Sequence, residues 1–295
     1  MHSDDAFDAT RTRIQTPSAT LSYVDIGSGP TAVFVHGVGT NAHLWRDLIF
    51  EVSAVRRCVA FDLPLHGGSP ARHDQDFRLG ALAELIEELC DALDLTEVDL
   101  VAHDTGGALA QIFTAHHPER LRTLTLTNCD THDNVPPEAF KPTVEMARAG
   151  EIAPAASALF ADLRAARDVL FAVGYEDPEH LSLDTVRSFI EPVLGTPDAA
   201  QQFERMLSAL EPSDLLGAEP ALSQLTVPTL VVWGNGDEFF DVRWAYWLSD
   251  TIPGVTEVVE LAGAKLFFVD ERAAELAPHL LRHWQAADRR RQAIA

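Results

Sequence analysis

The stretch VAHDTGGALAQ, residues 101 to 111, is an apolar strand pattern that stops on a carboxylate, Asp104, and passes at once into a helix of small residues. A strained strand-to-helix corner lifts one side chain above the edge of a sheet, and Gly106 and Gly107 let the helix begin close behind it. A carboxylate so placed can attack an sp³ carbon bearing a leaving group, giving an ester on the protein, or can take a proton from a bound molecule. Asp is also a favoured N-cap residue, so a purely structural role in tying down the helix stays open. A second reactive grouping is TNCDTHDN, where His132 stands between Asp130 and Asp133 in the loop after a strand, at the carboxyl edge of a parallel sheet. His132 is therefore a candidate functional group. The same run offers metal-ligand types without a supporting cluster, and no metal is implied. His103 adjoins Asp104, but alternation along a strand sends it to the opposite face. His279 and His283 stand at i, i+4 on the last helix and suit a surface stripe.

These residues need a scaffold, and the chain supplies one in alternating strand and helix patterns. TAVFVHG (31–37), CVAFDLP (58–64), VDLVAHD (98–104), LRTLTLTN (121–128), PTLVVWG (228–234) and VTEVVELAG (255–263) read as strands. Helical patterns lie between them, as in residues 79–95, with apolar residues at helical spacing and acids facing out. The fold class is α/β, a mostly parallel sheet with helices on both faces. From about Asp133 to Gly217 no strand pattern occurs and proline-punctuated helices take over. Residues 133–217 are expected to form a helical lid, or cap, over the strand ends, with 1–132 and 218–295 as the core.

Composition bounds the function. With 295 residues, 46% of them hydrophobic, the chain can bury a large core. A formal net charge of −23 and only two lysines argue against nucleic acid or an anionic membrane as partner. The RRR run at 289–291 reads as a solvated end. Cys58, Cys90 and Cys129 are odd in number and widely spaced, and read as buried thiols. No apolar run approaches the ~18 residues of a membrane span, and the polar, acidic N-terminus lacks signal-peptide character, so a cytoplasmic location is expected.

The motifs together resemble the α/β-hydrolase superfamily: FVHG after an early strand, DLPLHGGSPA after the next, the corner AHDTGG, and LVVWGNGD late in the chain. With Asp in the nucleophile's place, the corner resembles the haloalkane dehalogenase and epoxide hydrolase branch. The resemblance implies Asp104 as nucleophile, with the Thr105 N–H and the Val38 N–H as its oxyanion hole. It also implies Asp237 as the carboxylate that orients a base, with Asp130 the alternative. The histidine of the pattern belongs after the last strand. There the matching run Gly263-Ala264-Lys265-Leu266-Phe267 has Leu266 in its place, and leucine cannot activate water. Without the imidazole, Asp104 and Asp237 repel under a lid, and burial raises the proton affinity of at least one.

Each closer label lacks a part. Thr105, where many dehalogenases have Trp, offers no halide-binding ring. Tyr175 is the only lid tyrosine available to protonate an opening epoxide, and no Arg stands beside Asp104 as in fluoroacetate dehalogenases. His36 and His66 read as structural hydrogen-bonders of the HG and LHGGS loops. His36, Trp45, Phe239, Leu266, Phe267 and Tyr175 are candidate pocket residues, although aromatic residues at such spacings also serve as core. The expectation is a cofactor-independent enzyme, monomer or homodimer, acting on a small, largely apolar molecule. Asp104 acts as nucleophile or general base, with His132 or another lid group replacing the lost base. A lyase, isomerase or cyclase using carboxylate proton transfer, and a ligand-binding protein that has lost turnover, are the alternatives.

Overall fold

The computed structural model describes residues 4–294. Its eight strands are β1 (Thr12–Gln15), β2 (Thr20–Gly27), β3 (Thr31–Val35), β4 (Arg57–Phe61), β5 (Val98–Asp104), β6 (Leu121–Cys129), β7 (Thr229–Gly234) and β8 (Val255–Leu261). They form one sheet in the order β1-β2-β4-β3-β5-β6-β7-β8. From β4 to β8 all neighbours run parallel, and only β1 and β2 are antiparallel. The central strands β3, β5 and β7 are buried along almost their whole length, the pattern of a sheet covered on both faces.

All six expected strands are present, within a few residues at each end. The β1–β2 hairpin was not expected, because its alternation is blurred by polar residues. Ser22 is buried, yet its backbone N–H bonds the Ser69 hydroxyl at 2.7 Å and its own hydroxyl accepts from Arg11. Tertiary hydrogen bonds satisfy a polar residue that sequence patterning reads as solvent-facing.

No strand lies between β6 and β7. Helices Lys141–Ala149, Ile152–Ala161, Leu163–Leu170, Leu183–Leu194, Pro197–Ser208 and Ser213–Leu222 occupy that interval. The last of these spans residue 217 and packs against helix Thr105–His116 behind the corner. Among the described residues no helix is long and apolar enough to cross a membrane. Cys58, Cys90 and Cys129 are free and buried, and burial pushes all three thiols up to about 12 or beyond.

Candidate active site

Asp104 ends β5 at φ 55°, ψ −134°, a backbone region that side chains rarely adopt, and the register with β6 shifts at this residue. Helix Thr105–His116 follows without a residue between. The corner is sterically closed. A Cβ on Gly37 would stand 2.1 Å from Asp104 Oδ2, and one on Gly106 would stand 2.4 Å from the His36 carbonyl oxygen. Only glycine lets the loop after β3 and the new helix approach the carboxylate so closely.

The side chain of Asp104 makes no capping hydrogen bond to its helix. The backbone N–H groups of Thr105 and Val38 favour its ionised form. Burial raises its pKa well above the usual carboxylate range, the nearby Asp130 and then Asp237 raise it further, and the two N–H donors oppose the shift.

The loop that presents Val38 is held by a fixed network. Asp62, fully buried, accepts from Ala42 N–H at 2.9 Å, Gly68 N–H at 2.9 Å and Arg11 at 2.6 Å. His36 Nε2 accepts from Leu63 N–H at 3.0 Å, and His66 Nε2 from Gly39 N–H at 3.1 Å. Burial lowers His36 to about 4 and His66 to about 3, so both are neutral acceptors at ordinary pH. They act as structural hydrogen-bonders. His36 does not line the cavity, which corrects its place among the pocket residues.

A cavity of about 300 Å³ opens above Asp104. Val38, Thr105 and Asp130 stand with Asp104 in its wall, Phe239, Phe240, Leu266 and Phe267 come from the loops after β7 and β8, and the helices between β6 and β7 supply Phe171, Ile190, Val193 and Phe203. Apart from Asp104, Thr105, Asp130 and Thr143, its described lining side chains are all apolar, and no histidine, lysine, arginine or tryptophan is among them. Met146, Val169 and Leu170 line it and are also 43%, 67% and 38% exposed, which marks them as its mouth.

Three more sequence expectations are corrected here. His132 has φ 57°, and that turn carries its ring away from the cavity. The ring pairs with Glu219 and stacks on Trp247 at 4.9 Å between centroids. Trp45 is fully buried against Phe34 and beside His103, within the core and not in the pocket. Tyr175 is likewise fully buried. Its hydroxyl donates to Asp270 at 3.0 Å while its ring backs Phe267 from behind the cavity wall. Asp270 also lies near His180 and Asp47, a metal-compatible grouping outside the cavity in which Asp47 is already paired with Arg46.

Asp237 is half-buried and does not line the cavity. It accepts from Asn128 Nδ2 at 2.7 Å and Phe239 N–H at 2.8 Å, and burial raises it to about 6 despite them. Asp130 is the acid that sequence reasoning underweighted. It is 2% exposed and lines the cavity, and its Oδ1 has no hydrogen-bond partner. Burial raises Asp130 to about 7. Of the two carboxylates facing Asp104, it exerts the stronger influence. The signal in sequence was its position immediately past the end of a strand that pairs with β5, with Asp104 opposite Cys129.

Residues 30–271 match the family model for the alpha/beta hydrolase fold. The chain belongs to that family. This α/β hydrolase is 41% identical over 112 residues to a haloalkane dehalogenase of Mesorhizobium japonicum, a match covering 38% of this chain and 36% of the relative. It is 27% identical over 277 residues to a haloalkane dehalogenase of Agrobacterium fabrum, covering 88% of this chain and 86% of the relative. Its fold superposes on the crystal structure of haloalkane dehalogenase DbeA from Bradyrhizobium elkani with a TM-score of 0.79 at 20% identity, over 94% of this chain and 98% of that one. The hydrolase is thus a superfamily enzyme with haloalkane dehalogenase-like relatives.

Proposed function

We propose that this α/β hydrolase acts on a small, largely apolar organic molecule and that Asp104 is its nucleophile. The observation that carries the reading is the seating of the Asp104 carboxylate: it lines an apolar cavity together with Val38 and Thr105, whose backbone N–H groups favour its ionised form. One oxygen is polarised by those donors, and the other is free to approach a carbon held against the apolar walls. The new bond runs from an Asp104 oxygen to carbon, and the leaving atom departs with the electron pair of the broken bond. Water attack on the ester's carbonyl carbon would then place the developing negative charge between the same two N–H groups. The helices between β6 and β7 would serve as the lid, excluding bulk water and admitting substrate past Met146, Val169 and Leu170.

A second reading has Asp104 as a general base in a non-hydrolytic conversion. It draws support from the raised proton affinity of Asp104 and from the lack of histidine among the described lining residues. One experiment decides between them. The protein is incubated with small alkyl halides, epoxides and esters and its intact mass is measured, with the modified peptide mapped. An adduct on Asp104, lost in Asp104→Asn together with at least a thousandfold of turnover, supports the nucleophile. Turnover without adduct and without entry of ¹⁸O from labelled water into product or Asp104 refutes it in favour of the base. Tight binding with no conversion refutes both.

A further inference from the structure

We propose that Asp130 does the work of the missing imidazole, as acid in the first half of the reaction and as base in the second. The inference rests on the reading of Asp104 as nucleophile and adds the group that closes its cycle. Geometry carries it. Asp130 lies in the same cavity wall as Asp104 and Thr105, and its backbone N–H donates to the Asp104 carbonyl oxygen at 3.4 Å. Its Oδ1 is buried without a hydrogen-bond partner, a costly placement for a carboxyl oxygen that had only a structural role. Asp237, the other acid near Asp104, is half-buried, is anchored by Asn128 and Phe239 and does not line the cavity.

Two adjacent acids without a cation cannot both ionise in an apolar pocket, so the pair holds one proton between them. The proton rests chiefly on Asp104, the acid held higher, and the reactive form is the one in which it has passed to Asp130 and left Asp104 ionised. Asp104 forms its bond to carbon, the carbon–oxygen bond of the substrate breaks, and its electron pair takes the proton from Asp130. The pair is then an ester at 104 and a carboxylate at 130. A water molecule gives its proton to Asp130 as its oxygen adds to the Asp104 carbonyl carbon. Collapse releases the alcohol, which recovers its proton through the pair, and restores one carboxylate and one acid. A carboxyl raised toward neutrality suits both halves, because it can give up and regain a proton at the same pH. The same arrangement favours a substrate class. Oxygen leaving groups need a proton and halides do not, while no lysine, arginine or tryptophan side chain among the described lining residues stands ready to receive a halide. The site therefore fits small apolar molecules with a strained or activated carbon–oxygen bond.

The test uses Asp130→Asn with two probes, 1,2-epoxyhexane and 1-bromohexane, read by intact mass and stopped-time decay of the Asp104 adduct. With 1-bromohexane the variant still alkylates Asp104, and the ester persists at least a hundredfold longer than in the parent. With 1,2-epoxyhexane alkylation itself slows at least a hundredfold. Asp130→Glu, which keeps the carboxyl, restores part of both rates, an effect that loss of packing alone would not produce. Equal ester lifetimes in parent and variant overturn the role of Asp130 and leave Asp104 standing. Equal slowing with both probes shows a structural effect and overturns it too. Absence of any Asp104 adduct in parent and variant alike overturns the nucleophile reading, and this inference with it.

Discussion

Asn at position 130 should make the folded protein more resistant to alkaline conditions. In the native state burial holds the Asp130 carboxyl at about 7, against an unfolded value of ~3.9. The folded chain therefore keeps a proton that the unfolded chain has released between those values. Below pH ~4 both states are protonated and the group is neutral in the balance. As pH rises toward 7 the penalty grows, and above 7 it is complete: about three pK units, or roughly 4 kcal/mol at 1.36 kcal/mol per unit. The Asn side chain carries no charge, so Asp130→Asn removes this pH-dependent cost. It also places an amide donor where Oδ1 has no partner, which costs about 1–2 kcal/mol at every pH. The variant should therefore be less stable than the parent at pH 4 and more stable at pH 8 by about 2 kcal/mol. Urea unfolding at pH 4, 5, 6, 7 and 8 measures the difference by linear extrapolation. The crossing of the two stability curves is the signature. Parallel curves, with Asn destabilising by a constant amount, would refute the claim that a proton is held at this site.

Gly37→Ala places a methyl 2.1 Å from Asp104 Oδ2, so either the loop or the carboxylate must move. Activity should fall at least a hundredfold while far-ultraviolet circular dichroism stays unchanged, and a fully active variant would contradict the close seating. Leu266→His puts an imidazole into the cavity wall that holds Asp104. The Asp104 ester should then decay at least tenfold faster, most clearly in an Asp130→Asn background, as followed by mass spectrometry through the decay. Val169→Glu adds charge at the exposed mouth of the cavity. It should raise KM for the longer members of an alkyl series about tenfold with kcat little changed, and an unaltered KM series would place the entrance elsewhere. Because burial keeps Asp237 near 6 behind the lining, Asp237→Asn should steepen or flatten the rate profile between pH 5 and 7 more than it changes the rate at pH 8. A pH-rate curve checks it, and a uniform drop at all pH values would count against a titrating role.

The sequence by itself determined the sheet's central strands, the helical stretch between β6 and β7, and the corner that carries Asp104. These are written in local chemistry: runs of β-branched and apolar residues, helical spacing, and glycines where only glycine fits. Motif position alone also raised the expectation that Leu266 stands where the resembled pattern has its histidine. The edge strands β1 and β2 were not legible, because Ser22 and Arg11 find partners only in three dimensions. The aromatic residues show the limit most clearly. Phe239 and Phe267 reach the cavity, while Trp45 and Tyr175, equally large and equally apolar in pattern, back away from it into the core. All four are wholly or partly buried, and the direction of each side chain decides which line the cavity. His132 and Asp130 differ in the same way. Two residues apart in one loop, one turns out at positive φ onto Trp247 and the other turns in beside Asp104. Residue type states what a group can do; backbone torsion and the packing of distant segments decide what it faces, and neither is a local property of the chain.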